Sequence, residues 1–426
     1  MSQNMLSFEA ALAQLQTAAT PVTATEVVAT NDALGRVLAH DLVSTIAVPP
    51  LDNSAMDGYA IRVCDIQAGV SIPVSQRIAA GQVGQPLDRG TAARIFTGAP
   101  VPDGADAVVM QEHCVETRVE ENAHVNFLHA MRSGDNIRRQ GEDIAVGTVV
   151  LRQGTQLRAA ELGVAASVGR AQLSVLRRLK VALFSTGDEL AMPGEALKPG
   201  GIYNSNRATL SALLQGMGCE VTDFGIVADN QQSTCEFLST AAQNHDLILT
   251  SGGVSVGDED HVKAAVASMG EIGLWKIAIK PGKPLAFGRI FPVGAEALHG
   301  GMSASRSANT PPNKATSFIG LPGNPVASFV TFLMLVRPYI LKSQGLPNTP
   351  PIVQKMRADF AWAGDKRREF LRVRRNAEGG LDLFPNQSSG VLTSCAWADG
   401  LVSNPPSCAI ASGDTVAYFS FTELGA

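Results

Sequence analysis

The chain has 426 residues, is 45% hydrophobic and 17% charged, and carries a net charge of −5. Length alone suggests about three domains and a large core. The acidic balance excludes a general electrostatic grip on nucleic acid but leaves room for a local cationic pocket.

None of the six cysteines forms a CxxC pair. Neither structural zinc nor a disulfide framework is expected, and a reducing compartment fits. The opening stretch MSQNMLSFEAALAQL has no positive start and no continuous apolar core, so it does not read as a signal peptide. No apolar run approaches the ~18–20 residues that span a bilayer. The expectation is a soluble cytoplasmic protein with no nucleic-acid or membrane partner.

Residues 7–17 read as an amphipathic helix, with Phe8, Ala11, Leu12 and Leu15 on one stripe and Ser7 as cap. A second helical stretch is expected over 32–39, ended by Pro49-Pro50. PPLDNSAMDGYAIR, residues 49–62, packs turn-formers and acids beside Tyr59; it reads either as an Asx-turn into a strand or as a loop presenting Asp57 to a ligand. Residues 60–143 are β-rich, with glycine turns and few helical periods. RIFTGAPVPDGADAVVMQE (94–112) reads as strand, turn and strand, and NIRRQGED (136–143) as a charged loop around Gly141. Residues 144–179 return to mixed helix and strand, with a short helix over 159–167. Segments 1–50 and 144–179 then make one discontinuous N-terminal domain, structural or dimer-forming, into which the β-rich 51–143 piece is inserted.

Residues 180–345 form an α/β unit. The apolar runs 181–184 and 247–249 lack alternation, as strands covered on both faces of a parallel sheet do. Each runs into a glycine loop, FSTGDEL or TSGGVSVGDED, where backbone N–H groups can approach a ligand closely. In open α/β sheets ligands collect at these carboxyl ends. Helices are expected over 207–216, 234–243 and 326–335, and strands over 220–226 and 275–279. The stretch 291–316 reads as a mobile insertion. The tail, 346–426, reads as a small β domain with a basic cluster over 366–368.

If the strand ends are adjacent, Asp188, Glu189, Asp229, Asp258 and Asp260 converge where phosphate oxygens would lie, an arrangement suited to Mg²⁺. A first-turn carboxylate favoured by the helix dipole is the plainer reading of Asp258. KPGKP places Lys280 and Lys283 on a proline-stiffened loop; two such cations can hold a small dianion, or be a surface pair. GLPGNP (320–325) precedes a helix whose N-terminus is a potential anion cradle. No Ser-His-Asp or Cys-His pair is evident.

Together DNSAMDGYA, RIFTGAPVPDGADAVVMQE, NIRRQGED, FSTGDEL, TSGGVSVGDED, KIAIKPGKP and GLPGNP resemble the signature blocks of the molybdopterin molybdenumtransferases, the MoeA-like family. The resemblance runs from about residue 5 to the carboxyl end. It implies an α/β and β multidomain fold: a central doubly wound molybdopterin-binding-type α/β domain, an inserted β-rich domain and a C-terminal β domain. It implies insertion of molybdate into adenylylated molybdopterin with Mg²⁺-dependent release of AMP, in a homodimer that the molybdopterin adenylyltransferase could join.

By the same resemblance, Asp57, Asp143, Glu189, Asp229 and Asp260 are catalytic, with Glu189 and Asp260 as metal ligands. Thr97, Ser185, Thr186, Gly187, Ser251, Gly252, Gly253, Pro322 and Pro325 would bind the nucleotide-bearing substrate. Lys280, Lys283, Pro284, Arg367 and Ser389 would bind molybdate. Asp57 and Asp143 would complete the partner subunit's cleft. The chain departs from the family pattern at Asn204, where an acid is common, and at Ala327-Ser328, where the usual hydroxyl is displaced by one position. A related adenylyltransferase shares only the α/β unit. A catalytically silent scaffold would have no reason to keep the clustered charge.

Overall fold

The computed structural model describes residues 5–253, 261–291, 315–347 and 350–426. They form two compact units, one of Val27–Val175 and one of Met1–Glu26 with Leu176–Ala426.

In the first unit a six-stranded sheet runs in the order Ala107–Met110, Gly58–Ile61, Ala92–Ile95, Ile72–Ile78, Asn122–Phe127, Cys114–Val119. Tyr59 and Ile61 bury on one face with Val109 and Phe127, and Ala60 on the other with Ile78 and Ile95. This is the alternation expected of a covered sheet. A separate core gathers Leu38, Leu157, Ala165 and Val175 under the helix Ala159–Ser167. Residues 32–39 are not the expected helix. A short 3₁₀ turn over Thr30–Asp32 gives way to Gly35 at φ 74°, and Val37 and Leu38 then bridge to Gln156 and Val175. A glycine in the left-handed region and bridge partners distant in sequence exclude the helix here.

The second unit holds a doubly wound sheet in the order Glu220–Ile226, Lys180–Ser185, Leu247–Ser251, Thr316–Leu321, Pro284–Ile290, Gly270–Lys276. The first four strands are parallel, Pro284–Ile290 runs antiparallel to them, and Gly270–Lys276 runs antiparallel to Pro284–Ile290. Val181, Leu183, Leu247 and Leu249 pack on one face with the helices Ser205–Gly216 and Pro325–Thr331. Ala182, Phe184, Ile248 and Phe318 pack on the other with Gln231–Asn244 and His261–Met269. Full burial of a phenylalanine such as Phe184 or Phe318 contributes about 1.5–3 kcal/mol.

Two expectations change here. The expected strand over 275–279 is a longer strand, Gly270–Lys276, that stops before a separate two-residue strand, Ile279–Lys280. The expected helix over 326–335 continues through a π turn at Phe332–Val336 to Ser343. Pro338 does not end it, because the wider π turn just before removes the usual clash of the proline ring with the preceding carbonyl. This helix is long and apolar enough to cross a bilayer, but it is mostly buried in the core. The amino-terminal helix Phe8–Ala18, grouped by sequence with residues 27–50, places Ala11 and Leu15 in this same core beside Leu333 and Tyr339.

The tail closes into a β-barrel. Arg368–Arg375 pairs with both Gly380–Leu383 and Gly400–Asn404, and Gln354–Ala358 and Thr415–Ser420 complete the circuit. Ile279–Lys280 adds to its rim by pairing in parallel with Arg368 and Glu369. All six cysteines are free thiols.

Candidate active site

The sheet register creates the site. Ser185 pairs with Ile226 and Ser251, Ser251 pairs with Leu321, and Gly320 pairs with Ala286. One step further along that antiparallel ladder, Leu285 lies level with Leu321. The loops after Ile226, Ser185, Ser251 and Leu321 therefore leave the same sheet edge from which Pro284 enters. KPGKP reaches this edge because its strand is antiparallel, a reversal that its sequence does not announce.

Three of these loops touch. The Gly252 N–H donates to the Leu321 carbonyl at 3.0 Å, and the Asn206 Nδ2 donates to the Gly323 carbonyl at 2.7 Å. A Cβ on Gly253 would fall 2.8 Å from Thr186 Cγ2, and one on Gly252 3.0 Å from the Thr186 carbonyl. Gly252 and Gly253 both have positive φ, so glycine is required for conformation as well as space. The hydroxyls of Ser185, Thr186, Thr250 and Ser328 and the Nδ2 of Asn204 are buried without a hydrogen-bond partner. Buried polar groups are normally satisfied, so these five at one edge make it the candidate binding site.

Glu189 is exposed, and its carboxylate lies where a Cβ on Gly187 would be, 2.6 Å from that point. Gly187, at φ 144°, thus lets the acid fold back over the loop. Asp188 is exposed, and half-buried Asp229 follows the edge strand's end. Asp258 and Asp260 lie outside the described residues. Among the described residues no group of three or more histidines, cysteines or acids gathers to hold a metal, so the expected convergence of carboxylates is not seen in this part.

The cations group differently from their spacing in sequence. The Lys280 ammonium lies 3.1 Å from Glu369 and 3.2 Å from Asp365. Arg367 pairs with the same Asp365 at 3.2 Å. Glu369 is only 1% exposed, and its other oxygen accepts from Trp362 Nε1 at 2.7 Å. Burial alone would lower the Lys280 pKa, but the bonds it donates to Glu369 and Asp365 raise it. The Arg367 guanidinium holds Asp365 far below the usual carboxylate range. Lys283 is exposed and makes no ion pair among the described residues. Pro284 opens its strand, and the Ser389 carbonyl accepts from the Val326 N–H at 3.0 Å, which sets Ser389 beside GLPGNP. Pro322 is buried, and Pro325 begins the helix. Sequence reasoning missed Trp362, Asp365 and Glu369 as partners of Lys280. Glu369 directly follows the basic cluster over 366–368, but only the pairing of Ile279–Lys280 with Arg368–Glu369 gives it this partner.

In the other unit three blocks interlock. The Gly98 N–H donates to the Ser54 carbonyl at 2.8 Å, and the Ala55 N–H to that of Asn136 at 2.9 Å. Arg139 pairs with Asp52 at 2.6 Å. Asp52 also accepts from the Gln140 N–H at 2.7 Å, and that bond, opposed by partial burial and aided by Arg139, lowers its pKa. Asp57 accepts from Thr97, whose backbone bond first and hydroxyl second lower the acid's pKa. Exposed Asp143 follows NIRRQGE, its N–H bonded to the Val48 carbonyl.

Three family models match the chain in order: the MoeA N-terminal region (domain I and II) over residues 6–169, a "probable molybdopterin binding domain" over 182–342, and the MoeA C-terminal region (domain IV) over 355–421. A molybdopterin molybdenumtransferase of Haemophilus influenzae is 42% identical over 324 residues, 76% of this chain and 74% of its own length. Another, of a Nostoc species, is 42% identical over 396 residues, 89% of this chain and 85% of its own. The crystal structure of a molybdopterin biosynthesis MoeA protein from Pyrococcus horikosii superposes with a TM-score of 0.79 at 29% identity, covering 98% of this chain and 99% of that one.

Proposed function

We propose a function from one premise: the chain belongs to the MoeA family of molybdopterin molybdenumtransferases. It is a transferase of molybdenum cofactor biosynthesis. The reaction we assign is insertion of molybdate into adenylylated molybdopterin, with release of AMP. The observation that carries the assignment is the shared sheet edge, where glycine loops and unpaired buried hydroxyls stand in register with the entry of the lysine loop.

On this reading Ser185–Gly187 and Ser251–Gly253, with Pro322 and Pro325 stiffening the third loop, bind and orient the nucleotide-bearing substrate. Lys280, Lys283 and Arg367 attract the oxyanion, with Pro284 and Ser389 beside them. Asp57, Asp143 and Asp229 serve the reaction as carboxylates, and Thr97 fixes Asp57. Mg²⁺ fits the exposed oxygen donor of Glu189, which with Asp260 would hold it. When bound it would neutralise charge on phosphoryl oxygens. We further propose that the working form is a homodimer and that the molybdopterin adenylyltransferase delivers the substrate.

The test is direct. Purified protein mixed with adenylylated molybdopterin, Mg²⁺ and molybdate should release AMP. A folded dimer that releases none under these conditions would instead be a silent scaffold.

A further inference from the structure

Lys280 and Arg367 are bridged by a single carboxylate. One oxygen of Asp365 lies 3.2 Å from the Lys280 ammonium. Arg367 donates from Nε to Asp365 Oδ1 at 3.2 Å and from Nη2 to Oδ2 at 3.3 Å. An acid held by a guanidinium fork and an ammonium has the geometry that the same two cations offer any oxyanion. Asp365 is therefore a competitor built into the chain.

The two acids at Lys280 are not equivalent. Glu369 is anchored: its side chain is 1% exposed and fixed by Trp362, while that of Asp365 is 24% exposed. Releasing Asp365 to water costs far less than leaving Glu369 buried and unpaired. Two cations against two carboxylates leave this cluster near neutrality. A monoanion replacing Asp365 gains no charge over it, whereas a dianion does.

We propose that Asp365 is a specificity-determining residue: an internal counter-ion of the Lys280–Arg367 pair that a dianionic oxyanion displaces and a monoanionic one does not. This rests on the reading that Lys280 and Arg367 receive molybdate.

The experiment compares the unaltered protein with Asp365→Asn, Asp365→Ser and Lys280→Ala. It measures the molybdate dependence of AMP release and inhibition by perchlorate, a tetrahedral monoanion, and by sulfate, a dianion. Both Asp365 variants should reach half-saturation at less molybdate, by a factor on the order of five for so exposed a pair. Both should also become sensitive to perchlorate, which the unaltered protein tolerates, while sulfate inhibits all of them. Asp365→Glu should restore discrimination. A higher molybdate requirement in both Asp365 variants, or perchlorate tolerance unchanged in both, would show that Asp365 is only a clamp and overturn the proposal. An unchanged molybdate dependence in Lys280→Ala would sink the underlying site reading as well, and that failure is recognisable because Asp365 is intact in that variant.

Discussion

The carboxylate of Asp57 accepts two hydrogen bonds from Thr97, one from its backbone N–H and one from its hydroxyl, each 2.7 Å long. The residues are 40 apart in sequence, and both were singled out there as site positions. Both bonds favour the ionised acid, and the pKa of Asp57 is lowered. Thr97→Val keeps the N–H and removes the hydroxyl. The titration midpoint of Asp57, followed by NMR, should move up toward the ordinary value. A midpoint that stays put would mean the hydroxyl contributes nothing.

Lysine substitutions should separate two roles. Lys280→Ala leaves Glu369 buried without its cation. The variant should lose about 1–2 kcal/mol of stability, less than a fully buried pair would because Lys280 is 37% exposed. It should also need more molybdate. Lys283→Ala should raise the molybdate requirement with no measurable change in denaturant midpoint, since its side chain is exposed and unpaired among the described residues. Equal losses of stability would contradict this division.

Gly282 is fitted to its neighbour. At φ 104° it brings the lysine loop so close to the long helix that a Cβ would lie 2.4 Å from Thr331 Oγ1. Gly282→Ala should cost about 1–3 kcal/mol from strain at positive φ alone, with more from the clash. Adding Thr331→Ala should recover only the clash part. Thermal melts of both variants provide the check.

In the loop after Ser185, Gly187→Ala should displace the Glu189 carboxylate, which occupies the space of the new Cβ. The expected outcome is a higher Mg²⁺ requirement for AMP release with the fold retained. Asp260→Asn should abolish turnover in a protein with an unchanged circular dichroism spectrum. Full activity in that variant would remove the metal assignment.

Stability should have a simple acid limb. Glu161, capped by Arg158, is lowered to about 2, and Asp359, held by Arg357, to about 2; Asp52 and Asp57 are lowered as well. A carboxylate whose folded pKa is depressed contributes stability above its unfolded pKa near 4 and loses it as pH falls toward the folded value. The melting temperature should therefore change little from these groups between pH 7 and 5 and decline below about pH 4. A steep loss between pH 7 and 5 would point to histidines instead.

Much of this protein is written locally. The unalternating runs at 181–184 and 247–249 became the central strands, because a strand covered on both faces must be apolar at every position. Glycines at 187, 252 and 253 signalled loops with close approach, and all three take positive φ. The ordered blocks from DNSAMDGYA to GLPGNP were enough to identify the family. The expected 291–316 insertion falls almost wholly outside the described residues.

Other features depend on pairing between distant segments, which local patterns do not encode. The antiparallel course of the strand Pro284–Ile290 is what brings the lysine loop to the carboxyl ends of the parallel strands. Val37 and Leu38 take bridge partners 119 and 137 positions away rather than the expected helix over 32–39. Lys280 has acid partners only because two residues extend the rim of the tail barrel. Sequence determined which chemical groups are present and which turns can bend toward a ligand. The tertiary structure decided which charges neutralise one another, since hydrogen bonds and ion pairs act over a few ångströms of space, whatever the separation along the chain.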